Sequence, residues 1–383
     1  MKTLRLLLCT FLILPGLLLP CRAFALEPLW DGEIGIAAPS AILMEKVTGQ
    51  VLYEKNADER LLPASVTKVM TLLLILEDIE AGKLALDDIV TASARAASFG
   101  GSCVYLEEGE QMSVHEMLKC ITVASANDCA VAMAEHRGTE ALFVERMNAR
   151  AEALGLENTH FTNCTGLFED AEHYSSARDI ALMSRELLSH PLIKDYSTIW
   201  MDSIRDGSFG LTNTNKLVYW YEGCTGLKTG FTSGAMYCLS ATAERDGTEY
   251  IAVIMHAESS DSRNADATAL LNYGFSRYAL CPLLPDSPLP DLPVELGTAG
   301  SVPLTVSGER AVLLPRGSAA PDYRLTLPER VTAPVAEGDA LGTLTVSLGG
   351  ETLAELPVLA AADVPKLGIA PLFLRLLGSL AGL

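Results

Sequence analysis

Ser65 and Lys68 stand one helical turn apart in L-L-P-A-S-V-T-K-V-M-T-L-L-L-I-L-E, residues 61–77. Positions 65, 68, 72, 76 and 79 share a face, and the run from Val69 to Ile79 is apolar almost all round, the pattern of a buried helix. A serine at a helix start is ordinarily an N-cap. A lysine in that first turn has no such explanation, because it opposes the helix dipole and burial adds a desolvation cost. Both effects push its pKa down, towards a neutral amine able to accept a proton. One turn lets its nitrogen meet the serine oxygen, and a serine activated by a base is what covalent catalysis requires. Such a pair arises by chance about once in a chain of this size, so alone it carries little.

Two further groups change that. Ser125-Ala126-Asn127 lies at a break between helical runs, where Ser and Asn also serve as caps. Lys228-Thr229-Gly230 lies on a strand pattern, where a lysine also serves as an edge residue. Taken in order on helix, loop and strand, the three form a set: a nucleophile with its base, a second hydroxyl with an amide, and a cation with a hydroxyl. No H-E-x-x-H or G-x-S-x-G offers another catalyst.

The elements that must hold these groups are legible. Ala41 to Lys55 alternates around Thr48-Gly49, a β-hairpin. The helix from Ser65 ends near Gly82, and S-V-H-E at Ser113 is a capping box opening a second helix. Residues 130–136, 140–154 and 176–188 also read as helices. Residues 227–231, 236–243 and 250–256 read as strands, the last two joined by Asp246-Gly247. Strands without alternation, such as Y-I-A-V-I-M, imply a sheet covered on both faces. Residues 262–280 read as a closing helix. Early strands, a helical middle and late strands predict one antiparallel sheet built from both ends of the domain. The Pro-rich stretch 282–293 separates this from residues 294–360, which hold short strands and no helix signal.

At the start, M-K-T-L-R, an apolar block from Leu6 to Leu19 and Ala23-Phe24-Ala25 are the parts of a secretory signal peptide, cleaved after Ala25. The chain of 383 residues has a net charge of −20, and Lys2, Arg5 and Arg22 leave with the leader, so the remainder is more acidic still. A chain of that sign is unsuited to wrapping nucleic acid. Seven cysteines follow the leader, with no C-x-x-C, so neither a disulfide framework nor a zinc knuckle is encoded. Cys120, Cys129 and Cys238 sit among apolar neighbours as small core residues. The end, K-L-G-I-A-P-L-F-L-R-L-L-G-S-L-A-G-L, is apolar but interrupted by Pro371 and Arg375. It suits a membrane interface or a helix docked on its own domain.

The three motifs resemble the S-x-x-K, S-x-N and K-T-G of penicillin-binding proteins and class A β-lactamases. L-L-P-A-S-V-T-K-V-M-T, A-S-A-N-D-C-A-V-A-M-A-E-H, H-Y-S-S-A-R-D-I-A-L and G-L-K-T-G-F-T-S-G-A are all similar to the low-molecular-mass penicillin-binding proteins that act as D-alanyl-D-alanine carboxypeptidases. The likeness covers residues 34–280, and a β domain with an apolar tail continues it. It implies an α+β fold: a β-lactamase/transpeptidase-like domain, with an antiparallel sheet flanked by helices, then a small all-β domain and a C-terminal apolar tail. The expected layout is a signal peptide over 1–25, the peptidase domain over 26–281, a linker over 282–293, a small β-sandwich over 294–362 and a membrane-associating tail over 363–383.

The resemblance also implies roles. Ser65 attacks the carbonyl of the penultimate D-Ala of a peptidoglycan stem peptide, and Lys68 takes its proton. The N–H groups of Ser65 and Phe231, the residue after Gly230, form the oxyanion hole. Ser125, bridging Lys68 and Lys228, passes a proton to the leaving D-Ala, and Asn127 holds the acyl side. Lys228 and Thr229 of K-T-G, helped by Arg263, bind the terminal carboxylate. No cofactor or metal is implied. The implied partners are the stem peptide, β-lactams as covalent inhibitors and a membrane surface through the tail, with the protein exported to the outer face of the cytoplasmic membrane and the wall. Ala126 and Thr225 depart from common family residues, the first at a side chain that does not react, the second before the G-x-K-T-G run. Among rivals, a class A β-lactamase needs a deacylating Glu on E-x-x-L-N, which is absent, and a class C-type esterase needs Y-x-N, also absent. A DD-endopeptidase shares the site but usually lacks the added β domain. A wall-binding scaffold with a relic site fits poorly, since every reacting residue is present.

Overall fold

Strand β1, Ser40–Glu45, is buried along its whole length. It turns through Gly49, at φ +71°, into β2, Val51–Lys55, whose alternating exposure marks it as an edge. The remaining strands of this sheet arrive after the helices: β3 is Cys224–Thr232, β4 is Met236–Arg245 and β5 is Thr248–Ala257. The sheet is antiparallel in the order β2-β1-β5-β4-β3, so the two ends of the domain meet where β1 pairs with β5. Asp246 and Gly247, at φ +50° and +74°, make the tight β4–β5 turn. β5 is buried over nearly all its residues, as its non-alternating sequence requires. These observations come from a computed structural model that describes residues 34–285, 287–371 and 373.

The helices follow from their caps and apolar faces. Helix α1 spans Lys68–Glu80, α2 Val114–Val123, α3 Asn127–His136, α4 Glu140–Ala153 and α5 Ala177–Leu187. Ser113, Thr139 and Ser176 cap α2, α4 and α5 by accepting from the N–H three residues on. α1, α2, α3 and α5 share one large core with β1 and β5. Ser184 of α5 and Ser240 of β4 join their hydroxyls at 2.7 Å inside it.

The closing helix α6 runs Ser260–Arg277, starting two residues and ending three residues earlier than its sequence suggests. Ser259 supplies the cap that moves the start, in a reciprocal box with Ser262. After Arg277 the chain turns extended and forms β6, Tyr278–Pro282. α6 packs on β5, where Gly274 lies against the Tyr250 ring and Phe275 meets it edge-on at 4.9 Å.

The chain divides into two units. Among the described residues the first takes 34–282 and also 311–318. Strand Ala311–Pro315 belongs to it by pairing antiparallel with β6, Tyr278 opposite Pro315 and Pro282 opposite Ala311. The Pro-rich stretch is therefore not a clean boundary, because A-V-L-L-P is an apolar strand that finds its ladder on β6. Leu313 and Leu314 are buried accordingly.

The second unit is all β among its longer elements. One sheet orders Ser301–Val302, Leu292–Glu295 and Val331–Thr332. The other orders Leu304–Val306, Glu351–Ala360, Ala340–Leu348 and Asp322–Thr326. Gly349 and Gly350, at φ +59° and +88°, close its long hairpin. Its core holds Leu292, Val294, Val302, Ala333, Val335, Ala360 and Val364. The expected signal peptide and the end of the apolar tail, residues 374–383, lie outside the described residues. Ile369 and Phe373 are exposed, and among the described residues no helix is long and apolar enough to cross a membrane.

Candidate active site

The turn before α1 is a single 3-10 turn, Ala64–Thr67, entered through Ala64 at φ +46°. Such a left-handed alanine is strained and persists only where its surroundings enforce it. Gly166 shows the enforcement: a Cβ there would stand 1.9 Å from the Ala64 carbonyl oxygen, so only glycine lets the two backbones meet. Ser65 does not cap α1. Its Oγ instead accepts from Lys68 Nζ at 2.9 Å.

Lys68 is fully buried, and its Nζ has two further partners, Asn127 Oδ1 at 2.6 Å and the Thr165 carbonyl oxygen at 3.0 Å. None of the three acceptors is charged. Burial lowers its pKa from 10.5 to about 7. The triad of partners suits both protonation states. As an ammonium it donates three times; as an amine it keeps the donations to Asn127 and Thr165 and offers its lone pair to the Ser65 hydroxyl proton.

Thr165 has no sequence signature, because only its carbonyl takes part. The segment N-C-T-G, 163–166, holds it in place. Asn163 Oδ1 accepts from Thr165 N at 3.1 Å, Thr165 Oγ1 at 3.1 Å and Gly166 N at 2.7 Å, and Thr71 Oγ1 donates to the Cys164 carbonyl at 2.7 Å. His173, within the H-Y-S-S run, supports the same turn. Its Nδ1 accepts from Thr162 N at 3.1 Å, which leaves Nε2–H to donate to Thr67 Oγ1 at 2.8 Å. Burial lowers the His173 pKa to about 4, so the ring is neutral.

Ser125 sits between α2 and α3 in a left-handed conformation, φ +61°, and is buried. Among the described residues no hydrogen bond joins its hydroxyl to Lys68 or Lys228. Asn127 opens α3; its Nδ2 donates to the Gly100 carbonyl at 2.8 Å and its N–H to Ser102 at 2.7 Å. Asp128 beside it accepts from Val104 and Leu106, both at 3.1 Å, so S-A-N-D carries the 99–106 loop.

Strand β3 forms the facing wall. Gly230 passes so near the turn that a Cβ would lie 2.8 Å from the Pro63 oxygen and 3.0 Å from the Ser65 nitrogen. A side chain there would occupy the space in front of the Ser65 N–H. Lys228 is buried and donates to its neighbour Thr229 O at 3.0 Å. Burial first, then the charges of Lys68 and Arg263, hold its pKa well below the lysine range. Thr229 Oγ1 donates to Thr214 Oγ1 at 2.6 Å. Phe231 is exposed and stacks on Tyr237 at 4.4 Å.

Arg263 is buried, contrary to what a helix-start arginine ordinarily does. It reaches Asn264 Oδ1 at 3.2 Å, Ser260 Oγ at 3.3 Å and the Cys238 carbonyl at 3.5 Å, with its guanidinium 5.9 Å from the Tyr237 ring. Burial lowers its pKa to about 10. Among the described residues none of Lys68, Lys228 and Arg263 is in an ion pair. Two buried basic groups without a carboxylate partner, Lys228 and Arg263, beside a serine bonded to the Lys68 amine, suit acyl transfer from a substrate that brings its own negative charge.

The fold and this site define a serine acyl hydrolase of the penicillin-binding type. The family model described as D-alanyl-D-alanine carboxypeptidase, peptidase S11, matches residues 28–259, and that of the penicillin-binding protein 5 C-terminal domain matches 285–366. The chain belongs to this S11 family of D-alanyl-D-alanine carboxypeptidases. It is 43% identical to the D-alanyl-D-alanine carboxypeptidase DacF of Bacillus subtilis (strain 168) over 353 residues, 90% of each chain. The crystal structure of penicillin binding protein 5 from Haemophilus influenzae is 29% identical with a TM-score of 0.73, covering 86% of this chain and 98% of that one. Penicillin-binding protein D2 from Listeria monocytogenes, in its ampicillin-bound form, is 30% identical with a TM-score of 0.59, over 64% of this chain and 100% of its own.

Proposed function

We propose that Ser65 is the nucleophile of this carboxypeptidase and Lys68 its base, acting on the terminal D-Ala-D-Ala of peptidoglycan stem pentapeptides. The observation that carries this is the Lys68 Nζ to Ser65 Oγ bond of 2.9 Å, with the lysine pKa lowered to about 7 by burial. The neutral amine takes the hydroxyl proton as Oγ attacks the penultimate carbonyl. The oxyanion forms against the N–H groups of Ser65 and Phe231, reached because Gly230 has no side chain. Ser125, after rotation of its hydroxyl, relays the proton to the leaving D-Ala nitrogen, and Asn127 steadies the acyl side. Lys228, Thr229 and Arg263 receive the terminal carboxylate, whose arrival restores the charge on Lys228 that burial suppresses. Water then hydrolyses the ester on Ser65.

A β-lactam, sharing the carboxylate and the reactive carbonyl, acylates the same serine and leaves slowly, since no deacylating Glu on E-x-x-L-N is present. The signal-peptide pattern supports action outside the cytoplasmic membrane. The exposure of Ile369 and Phe373 supports a tail that meets a membrane surface. Ser65→Ala is expected to abolish both D-Ala release and covalent labelling by fluorescent penicillin. Labelling that persists in the folded variant overturns the assignment.

A further inference from the structure

Far along α1 from its catalytic turn, three metal-ligating residue types converge. Glu77 lies near the end of α1, Glu186 near the end of α5, and His190 just beyond α5 before the Pro191–Ile193 turn. One donor atom from each lies within 4.8 Å of the others. His190 is the unusual member: its side chain is only 9% exposed, and both ring nitrogens are buried without a hydrogen bond. A buried imidazole with neither nitrogen satisfied is costly unless something else binds it. Glu80 Oε1 stands 2.9 Å from Nδ1, outside hydrogen-bonding geometry, which leaves Nε2 for a ligand.

We propose that Glu77, Glu186 and His190 bind a divalent first-row metal ion of the zinc class and so fasten the end of α1 to the end of α5. The donor set decides the class: an imidazole disfavours calcium and magnesium, and the lack of sulfur disfavours copper(I). Glu80 is the carboxylate that orients the imidazole, the outer partner that metal-bound histidines ordinarily have. The charge balance agrees. Among the described residues Glu80 is paired with His190, and Glu77 and Glu186 with a single guanidinium. That group, Arg150, takes Oε1 of Glu77 at 2.7 Å and Oε1 of Glu186 at 2.6 Å, leaving the second oxygen of each. Donors around one tetrahedral zinc stand about 3.4 Å apart for bonds of about 2.1 Å. Closing from 4.8 Å asks only for rotamer shifts of two half-exposed glutamates.

The test is titration of the full chain with Co2+ and with Zn2+, followed by absorption and calorimetry. The expected result is one equivalent bound with a cobalt spectrum free of thiolate charge transfer, although free cysteines are present elsewhere. Glu186→Gln and His190→Gln each weaken that binding at least 10-fold. Zn2+ at about 100 times the wild-type Kd raises the wild-type Tm by about 5 °C and that of each variant by no more than about half as much. Glu186 is the more exposed ligand, so E186Q decides the matter if H190Q folds poorly. No binding up to millimolar metal, thiolate ligation, or affinity unchanged in the folded variants overturns the proposal.

Discussion

Titrating the acylation of Ser65 tests the central claim about Lys68. With its pKa lowered to about 7, the free amine is about 1% of the population at pH 5, half at pH 7 and about 99% at pH 9. The rate constant for acylation by a fluorescent penicillin, measured at limiting reagent, should therefore rise about 100-fold from pH 5 to pH 9 with a midpoint near 7. An unperturbed lysine would be only about 0.03% neutral at pH 7, so burial raises the active fraction there by about 1,500-fold. Lys68→Ala removes the rise together with most of the rate. It should still fold. Holding the amine at the lower pKa costs the native state about 4 kcal/mol at pH 7, and removing it offsets the hydrogen bonds lost at Asn127 and Thr165, about 1–3 kcal/mol each. The sign follows from proton counts. Between pH 7 and 10.5 the unfolded chain holds the proton that the native chain has released, so this penalty is full below pH 7 and fades as pH rises towards 10.5. A flat profile from pH 5 to 9, or a midpoint above 9, would refute Lys68 as the base.

Gly230→Ala puts a methyl 3.0 Å from the Ser65 nitrogen and 2.8 Å from the Pro63 oxygen. D-Ala release should fall by about 100-fold or more, as loss of an oxyanion donor requires, with stability lowered by about 1–3 kcal/mol because the Pro63–Ser65 backbone must give way; near-wild-type turnover would exclude that placement. His173 makes a second pH effect, lower on the scale. Its native pKa, about 4 against 6.5 when unfolded, means the unfolded chain binds the extra proton, so stability is lost as pH falls from 6.5 to 4, by up to about 3 kcal/mol. Urea midpoints at pH 4.5 and 7 should differ less in His173→Gln than in wild type; equal differences would remove His173 as the cause.

Of the side chains proposed to react, Lys68 alone stands out in the sequence as an odd residue for its buried helix. Ser65, Ser125, Asn127 and Lys228 each also suit a cap or a strand edge and gain meaning only as an ordered set. Thr165 was not legible, since a carbonyl oxygen belongs to every residue type; the nearest signal is N-C-T-G, whose Asn and Gly mark a tight turn without saying what it touches. Arg263 was legible by position but not by burial, which depends on how α6 lies along β4 and β5. The hairpins and most helix limits followed from caps and glycine turns. The start of α6 was misplaced because both Ser259 and Ser262 are plausible caps by residue type, and the hydrogen bonds make Ser259 the one. The strand Ala311–Pro315 reads as one of several similar apolar strands, and nothing local says that its partner is β6.

That strand has a consequence for how the molecule is made. The chain finishes α6 and β6, builds a stretch of the second unit over 283–310, and only then supplies the last strand of the first. During synthesis the catalytic unit therefore remains one ladder short until residue 318 has emerged, with the apolar sites for Leu313 and Leu314 unfilled. For the same reason only a cut beyond residue 318, inside the second unit, leaves the first unit whole. A cut near residue 282 takes a strand of the first unit away with the second.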